Sequence, residues 1–161
     1  MGARGTVNEI WVEKLVEQDR YIHQLPPKST GRELYTKELA QSLWSEGLSY
    51  NMTFEDIVVT VTSYTARSLA LNFKKFIDPL TMVEEVLVGG GGVHNRTLMS
   101  MLRDQLKQRV TTMDEWEFSS DAKEAIAFTI LGNEFLHGNT NNLPSATGAS
   151  RNVVMGKLVL P

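Results

Sequence analysis

The residues best suited to chemistry are Gly89–Gly92, four consecutive glycines directly behind the apolar segment Val83–Val88. Glycine lets a backbone approach a ligand closely and adopts positive φ. A helix starting just beyond such a run offers free amides and the positive end of its dipole to an anion. A nucleotide phosphate or ribose suits that arrangement. The run is not a dinucleotide fingerprint, because Asn95 stands where G-x-G-x-x-G needs its last glycine. It is not a Walker loop either, since no Lys-Ser or Lys-Thr follows at the required spacing. The plain alternative is a strand-to-helix turn.

A second cluster opens a predicted helix at Asp121, Lys123 and Glu124. Asp121 and Glu124 are about one helical turn apart and share a face. Glu124 could accept hydrogen bonds from sugar hydroxyls, whereas carboxylates at a helix start ordinarily complement the dipole. Lys28-Ser29-Thr30-Gly31-Arg32-Glu33 concentrates donors around a turn glycine. It suits an anion or a sugar, or simply a helix-to-helix turn with surface charges. His23, His94 and His137 show no metal-ligand spacing, so no metal site is expected. His94, beside the glycines, either touches a ligand or is a loop residue. No G-x-S-x-G nucleophile elbow occurs.

The elements that must position these residues follow from periodicity and punctuation. Thr6-Val7-Asn8-Glu9 reads as a capping box, with a helix running to about Ile22. Leu25-Pro26-Pro27 ends it. A short helix from Thr36 to Ser45 is expected to stop at Gly47. Thr53 caps the next element. Ile57–Thr65 is rich in β-branched residues, but Phe54–Phe76 is too long for a strand and its apolar residues recur at three and four, so a long helix is predicted. Val83–Val88 is a strand, followed by a helix from the glycines to about Lys107 and a second strand at Arg109–Thr112. Ser119 or Ser120 caps a helix from Asp121 to about Leu136, with Asp121 in its first turn. Its alanines Ala122, Ala125 and Ala127 make it slim enough to pack tightly against a sheet. The order of elements gives an α/β chain whose last part is a parallel βαβα unit. Two strands make a poor parallel sheet, so either further strands of this chain escape the sequence reading or sheet partners lie outside it.

Composition narrows the function classes. With 161 residues and 18.0 kDa the chain has the size of one domain. Apolar residues at 42% and charged residues at 22% argue against disorder. A formal net charge of −3 supplies no basic excess for nucleic acid. Cysteine is absent, which excludes disulfides and thiolate chemistry and fits a reducing, cytoplasmic compartment. No apolar run approaches the ~18 residues of a membrane span, and no signal peptide opens the chain, so no membrane partner is expected. Met1–Thr6 fits the loose myristoylation pattern and Asn51 and Asn95 head Asn-x-Thr triplets; both read as coincidence.

Several blocks, in this order, resemble the C-terminal part of the anhydro-N-acetylmuramic acid kinase family. They are Ala3-Arg4-Gly5-x-Val7-Asn8, Pro27-Lys28-Ser29-Thr30-Gly31-Arg32-Glu33-Leu34, and Gly90-Gly91-Gly92-Val93-His94-Asn95. Asp121-Ala122-Lys123-Glu124-Ala125-x-Ala127-Phe128, Asn142-Leu143-Pro144 and Thr147-Gly148-Ala149-Ser150-Arg151 complete the set. The levoglucosan kinases belong to the same group, so the family alone does not fix the sugar. The resemblance implies one segment, residues 1–161, from the C-terminal lobe of an actin-like ATPase (ribonuclease H-like) fold, with the N-terminal lobe absent. It implies ATP and Mg²⁺ as cofactors, an anhydro sugar as substrate, and a homodimer in the full-length form. Members phosphorylate O6 of a 1,6-anhydro sugar while water opens the anhydro bridge. By resemblance, Gly90, Gly91, Gly92 and Asn95 contact the nucleotide and Glu124 binds substrate.

The chain departs from the family pattern in several ways. The phosphate loop and the segment carrying the catalytic Asp are missing, as are several strands of the lobe's sheet. Gly89 stands where the family often has Cys, and Arg96 where it often has Pro. Half a cleft supplies too few groups for phosphoryl transfer. The chain alone is therefore expected to be inactive, either as a kinase segment or as a nucleotide- or sugar-binding remnant. Strand 83–88 is expected to carry an unpaired edge.

Overall fold

A computed structural model describes residues 4–31 and 33–159. Part of the Met1–Thr6 pattern, and Ala3 and Arg32 of the family blocks, lie outside these described residues. The elements are α1 (Glu9–Gln18), α2 (Arg20–His23), α3 (Lys37–Ser49), α4 (Phe54–Phe76), β1 (Glu85–Val88), α5 (Arg96–Gln105), β2 (Arg109–Thr112), α6 (Lys123–Leu136) and α7 (Pro144–Thr147). Strands β1 and β2 pair in parallel, Glu85 opposite Arg109 through Val88 opposite Thr112. They form a two-stranded sheet among the described residues, so each strand has an unpaired outer edge. The described residues thus form a helix-rich α/β structure with one parallel strand pair.

Helix α4 is the spine. Its Thr53 side chain accepts from the Asp56 amide while Asp56 reaches back to the Thr53 amide, a complete capping box. The N-terminal half of α4 packs Ile57 and Tyr64 against Trp11, Val12, Leu15 and Val16 of α1, Ile22 of α2 and Leu43 of α3. Further along α4, Ala66 is fully buried against Met99 and Leu102 of α5 and Val110 of β2, with Val86 and Val88 behind them. Each of the larger aliphatic side chains removed from water contributes roughly 1.5–3 kcal/mol. The second cluster fixes the βαβ unit on α4, and so fixes where β1 delivers the glycine run.

Several expectations need correction. Thr6 does not cap α1; Asn8 does, its Oδ1 accepting from the Trp11 amide at 3.0 Å. Asp56 takes the Thr6 amide at 2.7 Å, and Glu9 pairs with Arg67 at 2.8 Å, so tertiary partners dissolve the predicted box. The first helix breaks at Asp19, whose carboxylate restarts the chain as α2 by accepting from Tyr21 and Ile22. Gly47 lies buried inside α3, which continues to Ser49. A Cβ there would stand 2.6 Å from Ile57 Cγ1 and 3.1 Å from Trp11. The glycine permits close packing and does not end the helix. Strand β1 begins two residues later than predicted, and α5 stops at Gln105.

Helix α6 departs most. It starts at Lys123 behind Ala122, not at Asp121, and no side chain of its N-cap residue closes it. Ser119 accepts from the Ala122 amide, while Ser120 is buried against Asp114. Asp121 therefore lies outside the helix, and it does not share a helical face with Glu124. No residue of α6 is buried, and Phe128 is 72% exposed. The expected tight packing of its alanines on a sheet is not present among the described residues.

Candidate functional site

The glycine run leaves β1 in an unusual conformation. Gly90 has φ +87° and ψ 179°, which an L-residue with a side chain adopts only under strain. Its amide donates to the Ser120 carbonyl at 3.0 Å, tying the loop to the approach of α6. Gly91–His94 then make a single 3₁₀ turn, and Asn95 caps α5 by accepting from the Leu98 amide at 3.1 Å. Gly91 faces open space, with nothing within 4 Å of where a Cβ would be.

Two side-chain contacts hold the opposite wall. His94 Nε2 lies 2.9 Å from Asp121 Oδ1. The Asp121 carboxylate raises the His94 imidazole above its ordinary 6.5, by hydrogen bonding first and by charge second. Asp114 accepts from both the amide and the hydroxyl of Ser120. Hydrogen bonds from Ser120 hold Asp114 below its ordinary carboxylate value of 3.8. Thr112 and Glu115 form a further capping box just after β2. The site therefore gathers Gly89–Gly92, His94 and Asn95 from one side of the βαβ unit, and Ser120, Asp121 and Lys123 from the other.

The sequence-predicted residues divide clearly. Gly90, Gly91 and Gly92 form one exposed or half-exposed loop facing α6. Asn95 spends its Oδ1 on the α5 cap, which leaves its Nδ2 for a ligand. Glu124 is exposed in the first turn of α6. His94 is more than a loop residue, because it bridges the glycine turn to Asp121. Among the described residues no group of three or more His, Cys, Asp or Glu side chains converges as a metal site.

The Lys28–Glu33 turn is different from its surface-charge reading. Lys28 Nζ turns inward and donates to the carbonyls of Tyr21 and Ile22 at 2.9 and 3.1 Å and to Asn72 Oδ1 at 2.6 Å. It also lies over the rings of Tyr21 and Phe76. Burial, then the charge of Lys75, lowers its ammonium below the usual 10.5. Its work is to close the C-terminal end of α2 onto α4. Nothing in the spacing of that turn distinguishes an inward lysine from a surface one. Alongside, the Tyr64 and Tyr35 hydroxyls both donate to Asp19 Oδ2, at 2.5 and 2.9 Å. Burial works against ionising Asp19, but these bonds and those of the Ile22 and Tyr21 amides outweigh it and hold the carboxyl below 3.8. In the cleft of about 570 Å³ beside them, Lys28, Asn72, Tyr35 and Tyr64 thus have their polar groups already engaged.

A family model described as anhydro-N-acetylmuramic acid kinase matches residues 1–161. The chain belongs to the anhydro-N-acetylmuramic acid kinase family. It is 44% identical over 161 residues to the anhydro-N-acetylmuramic acid kinase of Caldanaerobacter subterraneus subsp. tengcongensis, covering 99% of this chain and 40% of that protein. It is 40% identical over 157 residues to the protein of the same name from Clostridioides difficile, covering 97% and 40%. A Bacillus cereus relative, also so named, is 44% identical over 144 residues, covering 88% and 37%. The chain therefore spans about two-fifths of the length of the curated relatives it matches. No helix among the described residues is long and apolar enough to cross a membrane.

Proposed function

We propose that this chain is the C-terminal segment of an ATP-dependent anhydrosugar kinase, forming part of the C-terminal lobe of an actin-like ATPase fold. The whole enzyme phosphorylates O6 of 1,6-anhydro-N-acetylmuramic acid. The names of the relatives favour this sugar over levoglucosan. In the reaction the γ-phosphoryl group leaves the β-phosphate oxygen of ATP for O6. The bond from O6 to C1 breaks, water delivers its hydroxyl to C1, and the released proton passes to a base outside these residues.

The observation that carries the reading is the Gly90 turn. A positive-φ glycine tied to Ser120, followed by Gly91 with nothing within 4 Å of where a Cβ would be, presents backbone that an anionic ligand can approach closely. Gly90, Gly91 and Gly92 supply this backbone to the nucleotide, Asn95 Nδ2 donates alongside, and Glu124 accepts from sugar hydroxyls. Mg²⁺ bound to the nucleotide neutralises phosphate charge in such reactions. By the family resemblance, most of its ligands come from the remainder of the enzyme and from ATP itself.

The same logic makes the isolated chain inactive. Phosphoryl transfer needs phosphate donors, metal and a group orienting water in one cleft. The bare α6 supports this incompleteness, because Ile126, Phe128, Ile130 and Leu136 are all exposed at 44–72%. A covered helix of this composition would bury them. The test is an ATP-dependent assay on 1,6-anhydro-N-acetylmuramic acid with the purified chain, alone and with the remaining portion of a relative supplied as a second polypeptide. No turnover alone and turnover on mixing are expected. Turnover by the chain alone overturns the inactivity.

A further inference from the structure

Lys123 is the first residue of α6, where a cation opposes the helix dipole. Its side chain nevertheless runs along the glycine turn. A Cβ at Gly89 would stand 3.3 Å from Lys123 Cδ, and a Cβ at Gly90 would stand 3.9 Å from Lys123 Nζ. The ammonium is thus poised over the one residue of the run with positive φ.

Lys123 makes no ion pair among the described residues. Two carboxylates of the neighbouring loops have other partners: Asp121 bonds His94, and Asp114 bonds Ser120. Glu124, its chain neighbour, is exposed and carries the proposed sugar contact. The exposed glycine backbone, the N-terminal end of α6 and the Lys123 ammonium therefore lie together at the turn, and no salt bridge among the described residues engages that ammonium.

We propose that Lys123 binds the nucleotide's phosphate at the Gly89–Gly92 turn. This rests on the nucleotide reading of that loop and adds to it the cation that recognises the anionic part of the ligand. The glycines supply shape and amides, which adenosine and ADP share in part. Lys123 supplies charge, which acts on ADP alone. A lysine ammonium acts as a point charge, so arginine at this position would keep much of the effect.

The test uses the 161-residue chain and ligand-observed NMR with two probes, ADP and adenosine. Saturation transfer reads contact with the adenine and ribose, and ³¹P line broadening reads contact with the phosphates. The wild-type chain is expected to bind ADP more tightly than adenosine. Lys123→Met should weaken ADP about tenfold, the loss of one charge-assisted hydrogen bond, and leave adenosine unchanged. Lys123→Arg should restore most of the ADP preference. If Lys123→Met keeps the wild-type preference for ADP, the role of Lys123 is overturned while the nucleotide loop stands. If the wild-type chain binds neither probe, the nucleotide reading fails and Lys123 fails with it. An unchanged thermal melt for both variants, expected because Lys123 is exposed, separates these outcomes from misfolding.

Discussion

His94 Nε2 meets Asp121 Oδ1 at 2.9 Å, and this contact joins the glycine turn to the approach of α6 across 27 residues of sequence. It brings together two motifs that stand apart in the sequence, the glycine run and the Asp121–Glu124 block. The pair is exposed, so its value is positional more than energetic.

The contact should titrate. Asp121 raises the His94 pKa above 6.5, so the folded state binds the proton more tightly than the unfolded chain. Its contribution is complete below the unfolded value and disappears as pH rises through the higher folded value. A proton NMR titration should place the His94 midpoint above 6.5, and Asp121→Asn should move it down. A wild-type midpoint at or below 6.5 would sink the interaction.

Gly47→Ala should destabilise the chain by roughly 1–3 kcal/mol through overpacking, although alanine favours helices. The new Cβ falls 2.6 Å from Ile57 Cγ1, in the core between α1, α3 and α4. Urea denaturation measures the change. A neutral or stabilised variant would mean that Ile57 and Trp11 can move aside.

Lys28→Met keeps the aliphatic stem but strands the oxygens of Tyr21, Ile22 and Asn72. The expected loss is about 1–2 kcal/mol of stability. Backbone amide exchange should quicken first around α2, because Lys28 holds the end of that helix to α4. Uniform acceleration across α4 and α5 instead would argue against a local clamp.

Helix α6 should behave as uncovered apolar surface. The chain alone is expected to bind the dye ANS strongly, and Phe128→Ser with Ile130→Ser should weaken that binding with little loss of melting temperature. A large drop in melting temperature would show that α6 is packed in solution.

Much of the architecture was legible because it rests on local rules. Thr53 and Asp56 form their capping box within one turn, and the apolar spacing from Ile57 to Ala66 needs only a helix to bury one face. Val86, Val88 and Val110 mark the two strands by type, and the intervening α5 forces them parallel. The glycine loop, too, shows in local residue types, and the family shows in motif blocks that keep their order along the chain.

Tertiary contacts decided the rest. Thr6 and Glu9 have the spacing of a box, but Asp56 and Arg67, about fifty residues away, take their groups first. Gly47 looks like a helix stop until Trp11 and Ile57 close on it. Asp121 reads as a first-turn carboxylate, yet His94 draws it out and α6 begins two residues later. By itself the sequence determined which segments coil, which extend and where the backbone turns on glycine, because those follow from neighbours three and four residues apart. Only the tertiary structure decided which side chains meet, bringing His94 to Asp121, Lys28 to Asn72 and Lys123 over Gly90, because such pairings depend on how distant elements pack.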